Sequence, residues 1–281
     1  MLKLTREALA LDLPTVTTRI KRFIKDYVEK TKVKGIVIGL SGGIDSAVSG
    51  ALAALAIGGD KISALNMPEE ENFSEIDLRD AKIVANKFGF KLEIIDISPI
   101  LEGCYKTLPI YDVNDQLSRG NIKARIRMVC LYYYANALGK IVCGSSDKSE
   151  TMMGYFTKWG DGAADISPLM DLYKTQVRQL AAYIGIPKEL IAKPPSPQLW
   201  PGQTAEKEIG VKYEVLDLIL LGLENFMLPE EIAHQLRLPA KIVQDVKDTW
   251  LAREHKRRLP LTIKLEYRTI GADFRLPYTR A

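Results

Sequence analysis

The chain has 281 residues, of which 47% are hydrophobic and 26% are charged, and its formal net charge is +4. This composition is typical of a globular protein, and the charge is too weak to indicate nucleic-acid binding by itself. The sequence shows no signal-type apolar core and no apolar run long enough to span a membrane. Its three cysteines are far apart, which argues against a zinc site or disulfide framework and favours a cytoplasmic protein.

Hydrophobic periodicity predicts strands that alternate with helices in the first half of the chain. The predicted elements are helix 14–31, strand 35–40, strand 61–66, helix 74–88, strand 91–97, helix 118–138 and strand 140–144. Such alternation predicts an α/β fold, a doubly wound parallel sheet whose ligands bind at the carboxyl ends of the strands.

The second half of the chain differs from the first in its predicted elements, because no further strands are predicted there. A helix is predicted over 174–184, and the segment 193–203, with four prolines, is excluded from regular structure. A loop of this length favours a lid or a binding loop. Helices predicted over 212–224, 229–237 and 239–258 would form a helical C-terminal extension. Without a clear linker, we expect a single domain over residues 1–281.

The stretch Gly39-Leu-Ser-Gly-Gly-Ile-Asp-Ser46 joins the first strand to a helix of small residues. Gly42 and Gly43 allow the backbone to approach a ligand closely, and free N–H groups at the helix start face an anion. Asp45 would repel a phosphate unless a cation lay between them. The loop is neither a Walker A loop nor a dinucleotide-binding Gly-x-Gly-x-x-Gly motif. The simpler alternative is a glycine-rich turn in which Asp45 caps the helix.

This loop resembles the pyrophosphate-binding Ser-Gly-Gly-x-Asp-Ser loop of the ATP pyrophosphatases. Further stretches that extend the resemblance are Gly120–Arg127, Gly144–Glu150, Gly154–Lys158, Gly160–Asp165, Lys174–Val177, Lys193–Ser196 and His255–Arg257. In this order they resemble the ammonia-dependent NAD synthetases over about residues 14–260. The resemblance implies an adenine nucleotide alpha hydrolase-like fold and a homodimer with substrate at the subunit interface. It also implies no glutaminase domain, for which the chain has no room.

The implied reaction is amidation of deamido-NAD with ammonia, driven by ATP, to give NAD, AMP and pyrophosphate through an adenylated intermediate. The resemblance implies an ATP site of Gly39, Leu40, Ser41, Gly42, Gly43, Ile44, Asp45, Ser46, Ser145, Lys174 and Ser196. It implies deamido-NAD contacts from Arg125, Lys158, Asp165, His255 and Lys256. Asp45 and Glu150 match the family's Mg²⁺ ligands, in keeping with the preference of Mg²⁺ for a few carboxylates plus phosphate oxygens.

The residues alone leave other interpretations open. Glu150 could be a helix-start carboxylate three residues after a capping Asp147, and Arg125 could be a snorkelling surface residue. The run His255–Arg258 could be a solvated basic helix end. Lys174 opens a helix, where the helix dipole disfavours a cation.

One face of the predicted helix 118–138 carries Ile122, Ile126, Val129 and Tyr133, which predicts that these residues pack. Arg125 lies at the edge of this face, and Arg127 is predicted to be solvated on the opposite side. Tyr132, Tyr133 and Tyr134 are predicted to be core or dimer contacts.

Two other functions compete with amidation of deamido-NAD. Another ATP pyrophosphatase, such as a tRNA-modifying thiolase or ligase, would need a larger basic surface or catalytic cysteines, and neither Cys104 nor Cys143 lies in a recognisable motif. A nucleotide-binding regulatory module without turnover would not need the set Glu150, Lys158, Asp165 and Lys174 together.

Overall fold

The computed structural model describes residues 2–270 and 273–274. A four-stranded parallel sheet forms its centre, in the order β3-β2-β1-β4. The strands are Ile36–Gly39 (β1), Ile62–Asn66 (β2), Lys91–Ile94 (β3) and Ile141–Cys143 (β4). All four predicted strands are confirmed, each somewhat shorter than predicted.

Helices cover the sheet and form the C-terminal part of the chain. Those of the first half are Leu13–Thr31 (α1), Ile44–Ile57 (α2), Glu75–Phe88 (α3), Ser98–Thr107 (α4), Gln116–Leu138 (α5) and Lys148–Met153 (α6). Those of the second half are Lys174–Tyr183 (α7), Lys188–Ala192 (α8), Ala205–Ile209 (α9), Tyr213–Glu224 (α10), Pro229–Leu236 (α11), Ala240–Ala252 (α12) and Glu254–Arg257 (α13). The segment 193–204 contains no helix or strand, as predicted. The predicted helix 239–258 is wrong in one respect, because a break at Arg253 divides it into α12 and α13.

Both faces of the sheet are buried, which explains the nearly continuous apolar sequence of β1. Ile36 and Ile38 point into a core shared with helices α1, α2, α3 and α7. Val37, between them, points into a second core that contains Leu65, Val142 and residues of α4 and α5. Because successive side chains of a strand point to opposite faces, this alternation gives the doubly wound arrangement that the sequence predicted.

A third hydrophobic cluster holds the C-terminal helices together. It joins α10, α11 and α12 to Leu4 and Leu9 near the N-terminus, and it includes Met153 of α6 and Tyr173 just before α7. The C-terminal helices therefore pack against the two helices that follow β4, and they reach the edge of the sheet where ligands are expected. Within the described part of the chain, no helix is both long and apolar enough to cross a membrane.

Candidate active site

The loop between β1 and α2 has the geometry of a phosphate site. Gly42 has φ of +87°, and a Cβ atom there would lie 2.3 Å from the backbone oxygen of Asp77, so this position requires glycine. The Ser46 hydroxyl accepts a hydrogen bond from the Ser41 amide at 3.3 Å, which closes the turn. Gly43 precedes α2 and offers no side-chain cap. The N–H groups of the first turn of α2 therefore face the open side of the loop, where an anion can bind them.

A buried ammonium group lies beside this loop, surrounded by three carboxylates. Lys174 Nζ lies 2.6 Å from Asp45 Oδ2, 2.9 Å from Asp147 Oδ2 and 2.8 Å from Glu150 Oε1. Lys174 and Asp147 are fully buried, whereas Asp45 and Glu150 each keep 19% of their side chain exposed. We call these four residues the acid cluster. Asp147 also accepts the backbone N–H of Glu150 at 2.8 Å, so its predicted capping role is confirmed.

Burial and charge compete within the acid cluster. Burial raises the pKa of Asp147 to about 7, against the opposing charge of Lys174, and it raises the pKa of Glu150 well above its usual value. Burial alone would lower the pKa of Lys174, but the charges of Asp147, Asp45 and Glu150 outweigh it and raise that pKa well above the ordinary value. A cation bound beside these carboxylates would favour their ionised forms, because a single ammonium group otherwise faces three carboxyl groups.

The acid cluster also fits the predicted Mg²⁺ site. Asp45 Oδ1 is buried and makes no hydrogen bond, which leaves a carboxylate oxygen available as a ligand. Among the residues that the structure describes, no three His, Cys, Asp or Glu side chains are arranged to hold a metal by themselves. Asp45 and Glu150 could therefore supply two ligands, and phosphate oxygens and water would complete the octahedral shell that Mg²⁺ requires.

A pocket of about 700 Å³ opens beside the phosphate loop and the acid cluster. Most of the predicted site residues line it: Gly39, Leu40, Ser41, Gly43, Ile44, Asp45, Ser46, Arg125, Ser145, Glu150, Lys158, Ser196, His255 and Lys256. Gly42, Lys174 and Asp165 do not. Gly42 packs against α3, and Lys174 lies behind Asp45 and Glu150. The pocket thus brings residues from both halves of the chain to the carboxyl end of the sheet.

A basic segment, residues 253–257, forms one wall of this pocket by binding the end of helix α6. Arg257 donates to the Thr151 and Met152 carbonyls at 3.1 and 2.6 Å, and Lys256 donates to the Gly154 carbonyl at 2.5 Å. Cations at a helix C-terminus complement its dipole. The alternative of a solvated basic helix end therefore fails for Lys256 and Arg257, which cap the helix that carries Glu150, whereas His255 and Arg258 are exposed.

Lys158 and Arg125 are linked to the basic segment through backbone oxygens. Lys158 Nζ donates to the His255 carbonyl at 2.6 Å, and the Arg125 guanidinium donates to the Lys158 carbonyl at 3.3 Å. His255 is exposed, and Arg125 is exposed at the pocket rim. The predicted deamido-NAD residues other than Asp165 therefore form one connected, positively charged side of the pocket.

Asp165 lies outside the pocket, at the free edge of β4. Its Oδ2 accepts the Val142 amide at 2.7 Å, and its Oδ1 lies 3.4 Å from the Tyr132 hydroxyl of α5. Within one chain this carboxylate completes the edge of the sheet, and its predicted contact to deamido-NAD stays a prediction.

Comparison with known proteins bears on the identity of this pocket. The family model described as NAD synthase matches residues 16–260. The NH(3)-dependent NAD(+) synthetase of Hyperthermus butylicus is 45% identical over 255 residues, which cover 90% of this chain and 92% of that relative. The chain belongs to the NAD synthase family. The predictions of this family and of an ammonia-dependent NAD synthetase are thereby confirmed.

Solved structures support the same fold for this NAD synthase family member. The structure of NMN synthetase from Francisella tularensis is 34% identical, with a TM-score of 0.80, and covers 91% of this chain and 100% of that chain. The NH3-dependent NAD synthetase from Campylobacter jejuni is 29% identical, with a TM-score of 0.76, and covers 90% of this chain and 100% of that chain. The predicted α/β class with a helical C-terminal extension is confirmed.

The proline-rich segment 193–204 of this family member is folded over the phosphate loop. Lys193 Nζ donates to the Gly42 carbonyl at 3.0 Å and to Asp77 and Asp80 of α3, both at 2.6 Å. Ser196, the predicted ATP contact, donates its hydroxyl proton to the Gln203 carbonyl at 2.6 Å. The segment is therefore anchored at its start and braced within itself, and Gln198 also donates to Asp77 of α3 at 2.5 Å.

Several polar groups of this site escaped sequence reasoning. Lys123 is almost fully buried, and its Nζ donates to Glu69 at 2.7 Å, to Glu71 at 2.8 Å and to the Leu199 carbonyl at 3.0 Å. Nothing in the sequence around Lys123 predicts that this lysine is buried or that it pairs with the acidic run Glu69–Glu71. In the stretch Lys193–Ser196 the resemblance implies a contact from Ser196 alone, so the sequence predicts no role for Lys193.

The prediction for the faces of α5 was partly wrong. Ile122 and Ile126 pack against the sheet, but Val129 and Tyr133 are 55% and 70% exposed. Arg127, predicted to be solvated, is half-buried, lines the pocket and donates to the Met67 carbonyl at 3.1 Å. The packed face is rotated from the predicted one because Leu131 and Tyr134, instead of Val129 and Tyr133, contact the core under the sheet.

Proposed function

We propose that the pocket binds ATP against the phosphate loop and deamido-NAD against the basic segment, and that the nicotinate carboxylate attacks the α-phosphate of ATP. A carboxylate oxygen bonds to phosphorus as the bond to the β-phosphate oxygen breaks, so pyrophosphate leaves and an acyl adenylate forms. Ammonia then adds its lone pair to the acyl carbon, the bond to the AMP oxygen breaks, and a proton leaves the nitrogen for solvent. The amide of NAD remains.

One observation carries this proposal: an open helix N-terminus, a carboxylate cluster and a cationic wall converge on a single pocket. The N–H groups of α2 suit the phosphates of ATP, and the wall formed by Lys158 and Lys256 suits a second anionic nucleotide. Holding both nucleotides in reactive geometry supplies most of the catalysis, so a covalent nucleophile is unnecessary. Burial raises the pKa of the Cys143 thiol to about 12, which argues against a catalytic thiolate.

Asp45 and Glu150 would hold Mg²⁺ in this proposal. The bound ion would offset charge on the phosphates and on the departing pyrophosphate. Lys174 lies behind the pocket, where its ammonium group holds the carboxylates of Asp45 and Glu150 together and limits their repulsion. A cytoplasmic location also belongs to this proposal and is supported by three free thiols.

The proposed homodimer is supported by the exposed face of α5. Val129 and Tyr133 expose apolar surface next to Tyr132, whose hydroxyl contacts Asp165. A second copy that packs on this face would bring its own groups close to Asp165, which one chain leaves outside its pocket. Tyr133→Glu should then convert a dimer into a monomer in light scattering, and an unchanged mass would argue against this interface.

Nicotinate mononucleotide is a second candidate substrate, because the Francisella relative with a TM-score of 0.80 is described as an NMN synthetase. Amidation of nicotinate mononucleotide would need the same adenylation but no contact to an adenylate half. We expect deamido-NAD to give the higher kcat/KM. Equal values for the two substrates would assign no binding role to the adenylate half.

The decisive experiment separates the two half-reactions. Ammonia-free protein with ATP, Mg²⁺ and deamido-NAD should exchange labelled pyrophosphate into ATP, and ammonium should then yield NAD and AMP. Asp45→Asn should abolish most of this exchange, whereas Asp60→Asn, at an exposed position beyond the other end of α2, should leave it unchanged. Exchange without deamido-NAD, or equal use of ammonia-free glutamine and ammonium, would contradict the proposal.

The proline-rich segment is proposed to act as a lid, as its length predicted. The hydrogen bonds of Lys193 to Gly42 and Asp77 would anchor its base while residues 194–205 respond to ligand. Hydrogen exchange should show protection of 194–205 rising when both nucleotides are bound. Equal protection in the free and liganded protein would exclude a lid.

A further inference from the structure

Asp217 is a completely buried carboxylate on helix α10, in the C-terminal part of the chain. Its Oδ1 accepts the Ser149 hydroxyl proton at 2.6 Å, and its Oδ2 accepts the Thr175 amide at 2.8 Å. Both partners lie next to members of the acid cluster, since Ser149 precedes Glu150 and Thr175 follows Lys174. Asp217 therefore touches neither the pocket nor the acid cluster, but it binds the backbone segments that carry two of the cluster's side chains.

Ser149 extends the contact of Asp217 to Lys174. The Ser149 hydroxyl oxygen accepts the backbone N–H of Lys174 at 2.9 Å while it donates its own proton to Asp217. The first two N–H groups of α7 are thus satisfied by Ser149 and Asp217, which replace an ordinary N-cap side chain. This arrangement ties the start of α7 to helix α6, and it fixes the backbone of Lys174 relative to that of Glu150.

The same arrangement resolves the conflict between Lys174 and the dipole of its own helix. A lysine at the first position of a helix places positive charge at the positive end of the dipole. The carboxylate of Asp217, at the same helix end, supplies the compensating negative charge. Lys174 can therefore open α7 and still direct its ammonium group into the three carboxylates.

We propose that Asp217 is a positioning residue for the ATP half of the site, acting through Ser149 and the first turn of α7 on Lys174 and Glu150. This inference rests on the proposed function and adds to it a buried network whose members, Asp217, Ser149 and Lys174, do not line the pocket. Without the network, α6 and α7 could shift independently. The carboxylates of Glu150 and Asp45 would then no longer be held in a fixed arrangement around Lys174. The hydrogen bonds of Asp217 go to Ser149 and Thr175, and α5 and the basic segment donate none of them.

The test uses Asp217→Asn and Ser149→Ala in the full chain. An asparagine keeps the shape but presents an NH₂ group where an oxygen accepted a hydrogen bond, so one of the two donors loses its partner. Residues that orient ligand-bearing groups typically cost about 10–100-fold when removed. We expect the dissociation constant of Mg·ATP to rise at least about tenfold in each variant, measured by calorimetry without deamido-NAD. The KM for deamido-NAD should rise by a smaller factor than the dissociation constant of Mg·ATP, because the basic segment binds only the carbonyls at the far end of α6.

A matched control separates positioning from stability alone. Gln179→Leu removes hydrogen bonds that tether α7 to Leu9 and Leu11, on the side of that helix away from the acid cluster. It should lower the melting temperature without changing ATP affinity. The double variant Asp217→Asn/Ser149→Ala should bind ATP no more weakly than the weaker single variant, because both changes break one network.

The outcomes distinguish this inference from the proposed function. If Asp217→Asn and Ser149→Ala lower only the melting temperature, as Gln179→Leu does, and leave ATP affinity unchanged, the inference is overturned. If Asp217→Asn does not fold, Ser149→Ala alone decides between the same two results. If the wild type binds ATP but shows no exchange of pyrophosphate with deamido-NAD, the proposed function fails, and the ATP dissociation constants still decide the role of Asp217.

Discussion

Replacement of Lys174 by methionine tests the electrostatics of the acid cluster. Methionine has a similar length and suits a buried site, so the change removes one positive charge with little loss of volume. Asp45, Asp147 and Glu150 would then face one another without the ammonium group that lies 2.6–2.9 Å from each. We expect a large loss of stability together with loss of turnover.

The size of the stability loss follows from the burial of the Lys174 ammonium group. Breaking a buried ion pair by removing one partner typically costs about 3–5 kcal/mol, because a charge is left uncompensated. Two of the three carboxylates keep 19% of their surface exposed, so water can relieve part of this cost and the lower end, about 3 kcal/mol, applies. For a chain of this size, that loss corresponds to a melting temperature lower by roughly 6–12 °C.

Thermal unfolding with and without Mg²⁺ is the appropriate assay. Mg²⁺ should restore stability to Lys174→Met more than to the wild type, because the variant's carboxylates lack a counter-charge and gain more from a bound cation. Lys241→Met is the matched control, since Lys241 pairs with Asp245 at an exposed site where 82% of the lysine side chain is accessible. Its melting temperature should equal that of the wild type. A variant Lys174→Met as stable as the wild type, with no added response to Mg²⁺, would refute this account of the cluster.

Three further predictions concern the loop, the buried thiol and the response to acid. Gly42→Ala should cost about 1–3 kcal/mol in urea unfolding, since φ is +87° and Cβ would meet a backbone oxygen, and an unchanged midpoint would contradict this. Cys143, whose pKa burial raises to about 12, should resist iodoacetamide at pH 8 until the protein unfolds, so rapid labelling of the native protein would count against it. Burial raises the pKa of Asp80, but hydrogen bonds and charge from Lys193 and Arg79 outweigh it and hold that pKa below 3.8. The unfolded chain therefore takes up the proton first as the pH falls, and this stabilisation is present above about pH 4 and lost below it. Lys193→Met should reduce the loss of stability between neutral pH and pH 3, and an acid titration identical to that of the wild type would exclude the pairing.

The sheet was predictable because the apolar residues of its central strand indicate burial directly in the sequence. The run Ile36–Gly39 is apolar at every position, as a strand covered on both faces must be, and the glycines after α3 and α5 mark where those helices end. Helix α4 was missed, because its ten residues include a glycine and lie between a strand and a polar loop without clear periodicity. A single helix was predicted where α12 and α13 lie, because nothing in the local sequence around Arg253 marks a break.

The candidate site was predictable where local motifs carry its chemistry. The phosphate loop needs glycine at a left-handed position and free N–H groups at a helix start, and both are legible in the sequence around Gly42. The buried partners were not predictable in this way. Asp217 and Lys123 have ordinary positions on helices, and only the packing of distant elements gives their charges a function. Long-range pairing of this kind carries no periodic signal.

The cationic wall of the pocket has a consequence for the biogenesis of the enzyme. A ribosome makes the phosphate loop within the first 50 residues, but the wall is completed only by residues 253–257, which bind the carbonyls at the end of α6. A nascent chain can therefore form its sheet and its phosphate loop long before it has a complete second nucleotide site. Fragments that end before Asp217 would keep the phosphate loop but would lack both the network that positions Lys174 and the basic segment, so they would bind ATP weakly and would not consume it.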